Sequence, residues 1–344
     1  MNQYWLRRFV EDTRPAGHKP FYACIVVMVA TLALNLLSGY IRHTEAGLDC
    51  GDWPACYGQV GQLMQPENTA EVADMALTPA ATAKRLHRSI ATVLVILVFL
   101  VVYQARQKIG EAHSGVIRFI PYLMVFVILL LSVIGPASYL KTMPAIATVN
   151  LVGGVALLAL AWWLWLGIDG HGTVAVPASA RRLATLALGV LVVQIVLGAW
   201  VSANFAGVAC PELFSCGGSG AADAGGVLES FWYFRELTLS EDRIVIERSA
   251  EFIHIAHRAG AVVAAVVLAT TGVRSLGVSS LQAWSAWLLG LLTLQLALGA
   301  FSVLSGLSLG VVLAHNLTAT ALLLVTIRVV LLTRASNSLY TEHK

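Results

Sequence analysis

Four histidines, His87, His254, His257 and His315, lie inside or at the edges of long apolar runs. Ionisable side chains are rare in such surroundings because leaving water is costly, and those retained there generally bind or relay something. A neutral imidazole offers one nitrogen lone pair, which suits haem iron, and two imidazoles make such an iron six-coordinate. A two-metal or zinc centre calls for carboxylates nearby, and the apolar runs hold none. Any one of these histidines can also be read as a hydrogen-bonded packing residue. His257 and His315, near matching ends of two helices of one bundle, are better read as a pair of axial ligands. His254 stands one turn before His257 and shares its face, so it is expected to support a ligand or meet a propionate. Arg258 and Arg88, each next to a histidine, suit the same carboxylates.

The second reactive set is sulfur. Four of the five cysteines form two pairs with the same spacing, Cys50 with Cys56 and Cys210 with Cys216. A short enclosed segment in an oxidising compartment favours a disulfide within each pair. Whether each bridge staples a loop or serves as a redox-active or haem-handling dithiol stays open at this level. No adjacent His–Cys set matches zinc spacings. Cys24, within an apolar run, reads as a small buried hydrophobe.

These groups must be held by helices in lipid. The chain has 344 residues, 58% hydrophobic and 12% charged, and its mean hydropathy is +0.76. Soluble domains carry roughly 25% charge, so a water-soluble enzyme, a disordered chain and a secreted mini-protein are excluded. Net charge is +3 with the bases scattered, which gives a nucleic-acid partner no support. Eight runs approach the ~20 residues that a helical span needs: 21–41, 86–103, 119–134, 149–168, 183–201, 252–273, 283–304 and 311–332. The third is short and is expected to extend through Pro136 toward Tyr139. Backbone groups in lipid need internal partners, so an all-α polytopic membrane protein with eight transmembrane helices is predicted. The first run is too long for a signal-peptide core and is read as a true span.

Basic residues flank one side: Arg7, Arg8, Arg14 and Lys19, then Arg106, Lys108 and Arg118, then Arg181, Arg182, Arg274 and Arg334. The other side has two long loops, near 43–83 and 203–251, holding six and eight of the 19 acidic residues. Cytoplasmic termini and periplasmic acidic loops in a cell inner membrane follow from the positive-inside rule.

The chain reads as two tandem four-helix halves, 1–168 and 183–344, joined by a cytoplasmic linker at 169–182. Gly39 and Gly198 close spans one and five, the cysteine pairs follow, His87–Arg88 and His257–Arg258 open spans two and six, and Gly135 and Gly299 end spans three and seven. Both halves enter from the same side, so the repeat is parallel rather than inverted. The Gly/Ala-rich stretch 217–226 reads as a mobile loop, and Phe231–Phe234 as an interfacial anchor or a lid.

The segment RHTEAGLDCGDWPACYG at 42–58 resembles the first outer loop of the haem A synthase (CtaA) family. IHIAHR at 253–258 and AHNL at 314–317 fit that pattern, as does NLVGGVALLALAWW at 150–163 apart from its first residue. The resemblance spans essentially the whole chain. It implies an oxidoreductase that converts the C8 methyl of haem O to a formyl group, giving haem A for cytochrome oxidase. It further implies haem b held in the C-terminal half by His257 and His315, and substrate haem O in the N-terminal half. There the family has two histidines and a carboxylate; here His87 is present, Lys84 stands at the carboxylate's place and Asn150 at the second histidine's. Asn150 is a poor iron ligand, so His87 alone, with Asn150 as a hydrogen-bond donor or His43 as a replacement, is the expected arrangement of that catalytic region.

The implied partners are membrane lipid, haem O and the haem O synthase that makes it, an electron donor the sequence does not name, and further copies in a homo-oligomer. A non-catalytic haem-binding protein for haem delivery or oxidase assembly is the alternative, and a transporter of an amphiphile a third.

Overall fold

The structure, a computed structural model, describes residues 21–45, 79–109, 113–135, 142–168, 173–216, 224–240, 243–244 and 247–334. Its long helices are α1 (Tyr22–Glu45), α2 (Pro79–Lys108), α3 (Gly115–Ile134), α4 (Pro144–Ile168), α5 (Ala178–Ala203), α7 (Arg248–Leu276), α8 (Gln282–Leu304) and α9 (Leu309–Leu332). Between α5 and α7 lie a 3-10 turn (Ala206–Val208), the short α6 (Ala224–Ser230) and a two-residue antiparallel ladder, β1 (Leu239–Ser240) with β2 (Arg243–Ile244). All eight long helices are apolar and long enough to cross a bilayer. Large apolar side chains such as Ile96, Val133, Val262 and Val266 are more than half exposed, which suits a hydrocarbon surround and not water.

Local chemistry explains the helix starts. Pro79 and Pro144 occupy the first positions of α2 and α4, and Pro177 immediately precedes α5; proline's fixed φ and missing N–H are tolerated there. The Ser114 hydroxyl accepts from the Ile117 N–H and opens α3. The third span therefore gains its length at its front, from Gly115, and α3 ends at Ile134. The expected extension through Pro136 to Tyr139 lies outside the described residues. α2 and α7 also begin earlier than hydropathy suggests, so Lys84, Arg85, His87 and Arg88 sit in the opening turns of a helix. Ala178–Arg182, expected in the linker, form the first turn of α5, because nothing after Pro177 opposes a helix. Ala224–Gly226, expected in a mobile loop, begin α6; residues 217–223 lie outside the described set.

The helices pack in two rings. α1 and α3 each contact both α2 and α4, and in the same order α5 and α8 each contact both α7 and α9. Each ring has its own core. Cys24, Val27, Leu94, Val98, Met124, Leu157 and Leu164 belong to the first, and Leu191, Leu268, Leu288, Leu292, Leu322 and Ile327 to the second. The rings touch through α4 on α5, α9 on α1 and α4 on α9. Trp162 Nε1–H crosses that seam to donate to the Leu324 carbonyl at 2.9 Å.

Candidate functional site

The second ring forms most of the wall of a cavity of ≈ 480 Å³, within the range of about 300–1,000 Å³ typical of cofactor sites. Leucine, isoleucine, valine and alanine form most of its wall. Its polar residues include Gln194 from α5, His254, His257 and Arg258 from α7, Gln295 from α8 and His315 from α9. The helical spacing of three puts His254 and His257 on one face of α7. The His257 and His315 rings lie within electrostatic reach of each other.

Each of these two rings has the same pair of companions. Gln194 Nε2 donates to His257 Nδ1 at 3.1 Å and to the His257 carbonyl at 3.0 Å. Gln295 Nε2 meets His315 Nε2 at 3.1 Å. One turn along each helix from the glutamine is a glycine. A Cβ on Gly198 would stand 3.1 Å from His257 Cε1, and a Cβ on Gly299 would stand 3.1 Å from His315 Cε1. At both glycines an added side chain would press on an imidazole.

Buried polar atoms are normally paired. Here Nδ1 of His254, Nδ1 of His315 and Oε1 of both Gln194 and Gln295 are buried without a partner. An imidazole that gives one nitrogen to a metal needs an acceptor for the N–H on the other, and a rotated Gln295 amide supplies one at His315, whereas Gln194 is also held by the His257 carbonyl. The donor set, the orphaned atoms and the apolar walls therefore fit a haem-type group. Among the described residues no three His, Cys, Asp or Glu side chains gather to hold a bare ion.

The end of the cavity nearest the start of α7 is tied down from that helix. Arg258 donates from Nη1 to the carbonyls of Glu212 (2.8 Å) and Leu213 (2.9 Å), and from Nη2 to that of Cys210 (2.8 Å). Cys210 and Cys216 are disulfide-bonded, so the guanidinium sits within the loop that the bridge closes. The arginine anticipated at a propionate thus also anchors this loop beside His257. The other pair, Cys50 and Cys56, lies outside the described residues. The aromatic run Phe231–Phe234 is exposed, 75% at Phe234, and none of its four side chains lines the cavity. Trp200 Nε1–H holds the preceding residue through the Ser230 carbonyl. Arg235 then pairs with Glu247 at 3.2 Å and donates to Ser249 Oγ at 2.7 Å, its pKa lowered by burial.

The first ring contributes to the same cavity. Asn35, Gly39, Arg42 and His43 of α1 and Leu151, Val152 and Val155 of α4 line it. His43 is almost fully buried and donates from Nε2 to the Leu307 carbonyl at 2.7 Å, leaving Nδ1 unpaired. It was expected as a substitute ligand in the first ring; the packing of α1 against α9 turns it toward the second. Its acceptor lies in the α8–α9 turn, where Gly306 and Leu307 both have φ of 61°. His87 and Asn150 do not line this cavity. His87 is faced by the charges of Arg42 and Arg88, so Arg42 adjoins both the His87 region and the second-ring cavity.

Gln194 and Gln295 escaped the sequence reading. Their signal was present: QIVLG and QLALG each place a lone amide four residues before the noted glycine.

Residues 22–327 match the family model described as cytochrome oxidase assembly protein, COX15-CtaA. A Shewanella oneidensis protein named haem A synthase is 34% identical, with 87% of this chain and 92% of that protein covered. A Rhizorhabdus wittichii protein of the same name is 26% identical over 87% of this chain and 89% of its own. A match over nearly the whole membrane region, with the histidines and their glycines seated as described, places this chain in the COX15-CtaA family of cytochrome oxidase assembly proteins.

Proposed function

We propose that this chain is a haem A synthase, oxidising the C8 methyl of haem O to a formyl group for cytochrome oxidase. The observation that carries the reading is the pair His257 and His315, set in one apolar cavity with an amide and a glycine behind each ring. On this reading they hold haem b, which when bound supplies one-electron transfer. Gln194 and Gln295 orient the two imidazoles through their amides, each bonded to the nitrogen that does not ligate. Leu191, Leu268 and Leu292 keep water from the site, and His254 Nδ1 is free to hold a proton or a carboxylate. Arg258 keeps the disulfide loop over the outer end.

Haem O is assigned to the first ring near His87, where Arg42, Lys84, Arg85 and Arg88 suit a substrate bearing two carboxylates. His87 is the one imidazole there, and Asn150 offers an amide in place of a second. We read the chain as a tandem duplication of residues 1–168 and 183–344, with both termini cytoplasmic and the acidic loops periplasmic in the inner membrane. The shared ring order and the repeated His–Arg and Cys spacings support this. Its partners are then lipid, the enzyme that makes haem O and an electron donor, and a homo-oligomer is compatible with it.

Lys84 and Asn150 favour a second reading, a haem carrier in oxidase assembly that performs no oxidation. Extraction of haems from cells expressing this chain with a source of haem O separates the two. Haem A is expected; accumulation of haem O alone overturns the catalytic reading and leaves the carrier.

A further inference from the structure

A second cavity, ≈ 370 Å³, opens at the opposite end of the seam between the rings. It is lined by Trp163 of α4, by Arg181, Arg182, Thr185 and Leu188 of α5, and by Val330 and Arg334 at the end of α9. Among the described residues its lining carries three guanidiniums and no carboxylate. Arg334 stacks over the Trp163 ring, 5.0 Å from its centroid. Burial lowers its pKa from the usual value. Among the described residues none of the three arginines forms an ion pair. The start of α5 adds to the positive field. Arg181 and Arg182 sit in its first turn, whose N–H groups have no side-chain cap. The walls are fixed relative to each other, since the Val174 N–H donates to the Leu332 carbonyl at 2.7 Å. One turn deeper, Thr185, Leu188 and Val330 give the cavity a mostly apolar floor.

We propose that Arg181, Arg182 and Arg334 form a binding site for the headgroup phosphate of an anionic phospholipid, seated at the seam between the two rings. The arginine fork matches phosphate oxygens, and basic pockets between membrane helices on the basic side take anionic headgroups. The apolar floor selects a lipid over a free anion, because only a lipid brings apolar chain to cover it. The bound lipid spans α4, α5 and α9 and thereby fastens one ring to the other.

Native mass spectrometry of the full-length protein in detergent, titrated with phosphatidylglycerol or phosphatidylcholine, tests this. Phosphatidylglycerol is retained in preference. Each Arg→Ala change at 181, 182 or 334 weakens it about fivefold, and the triple variant about a hundredfold. Arg274→Ala, an exposed arginine near the basic end of α7, changes it by about twofold or less. Equal retention of both lipids, or an equal loss in Arg274→Ala, overturns the site. Displacement of the lipid by inorganic phosphate at comparable concentration assigns a free-anion site and overturns the lipid. If the triple variant fails to fold, Leu188→Trp, which fills the floor and leaves every charge in place, must itself displace phosphatidylglycerol. Undiminished binding in that variant refutes the proposal.

Discussion

Gly198→Ala and Gly299→Ala test whether the two imidazoles are held by the close approach of a bare backbone. Each helix carries its own control. In α5 a Cβ on Gly189, and in α8 a Cβ on Gly290, would meet nothing within 4 Å. Alanine is favoured over glycine in a helix by roughly 0.8–1 kcal/mol, so both controls should be neutral or stabilising. At Gly198 and Gly299 the added carbon would lie 3.1 Å from an imidazole carbon, a few tenths of an ångström inside ordinary carbon contact of about 3.5–4.0 Å. The ring must yield, because the alternative is to shift a helix packed on two neighbours. Overpacking of this kind costs about 1–3 kcal/mol, which cancels the propensity gain and leaves up to about 2 kcal/mol against the native ring position. Read as haem affinity, that is up to about thirtyfold. The assay is haem content and the visible spectrum of four purified single variants. Haem retention equal to that of the Gly189→Ala and Gly290→Ala controls would falsify the claim that these glycines position the ligands.

His257→Ala and His315→Ala are each expected to abolish the C-terminal haem band, while His254→Ala, whose ring is bonded to the Ala206 backbone, keeps it; absorption spectra of the purified variants decide. Gln194→Leu and Gln295→Leu should retain haem but lose about 10–100-fold in affinity and shift its reduction potential, as removal of a ligand's hydrogen-bond partner does; an unchanged potential by redox titration would count against the amide's role. Cys210→Ser with Cys216→Ser frees the loop around Arg258 and is expected to cost about 2–3 kcal/mol in thermal stability, the lower part of the usual disulfide range. The haem spectrum should survive that change; its loss would make the bridge part of the ligand site.

Eight spans were legible because lipid demands long apolar helices, a signal that needs no tertiary knowledge. Their ends were less legible. Hydropathy does not register that Pro79 and Ser114 start a helix before the apolar run begins, so α2 and α3 grew at their fronts. That His257 and His315 line one cavity could be anticipated, because they open the second and fourth helices of the same half. Gln194 and Gln295 could not be read from apolar periodicity, since a single amide in a span looks like a tolerated exception until its neighbour is known. The seat of His43 was hidden for a different reason. Its surroundings are set by α1 packing on α9, a contact 264 residues apart in sequence at the Leu307 carbonyl.

The glutamines also change what Asn150 means. Four residues before the paired glycines stand Gln194, Gln295, Asn35 and Leu131, for Gly198, Gly299, Gly39 and Gly135. On the proposed duplication, the second histidine of the first ring and the amide that would stand behind it are replaced together. Leu131 packs on α4 beside that place, its Cγ 3.2 Å from where a Cβ on Gly153 would lie. By that spacing, an imidazole restored at position 150 has a leucine where His315 has Gln295, and such a partner is worth about 10–100-fold. In a His257→Ala/His315→Ala background, where only first-ring haem can contribute, Asn150→His alone should leave the spectrum close to its parent. Asn150→His with Leu131→Gln should convert it to that of a six-coordinate, two-imidazole iron. If the single change achieves the conversion by itself, Leu131 is not what separates the rings, and their difference reduces to one side chain.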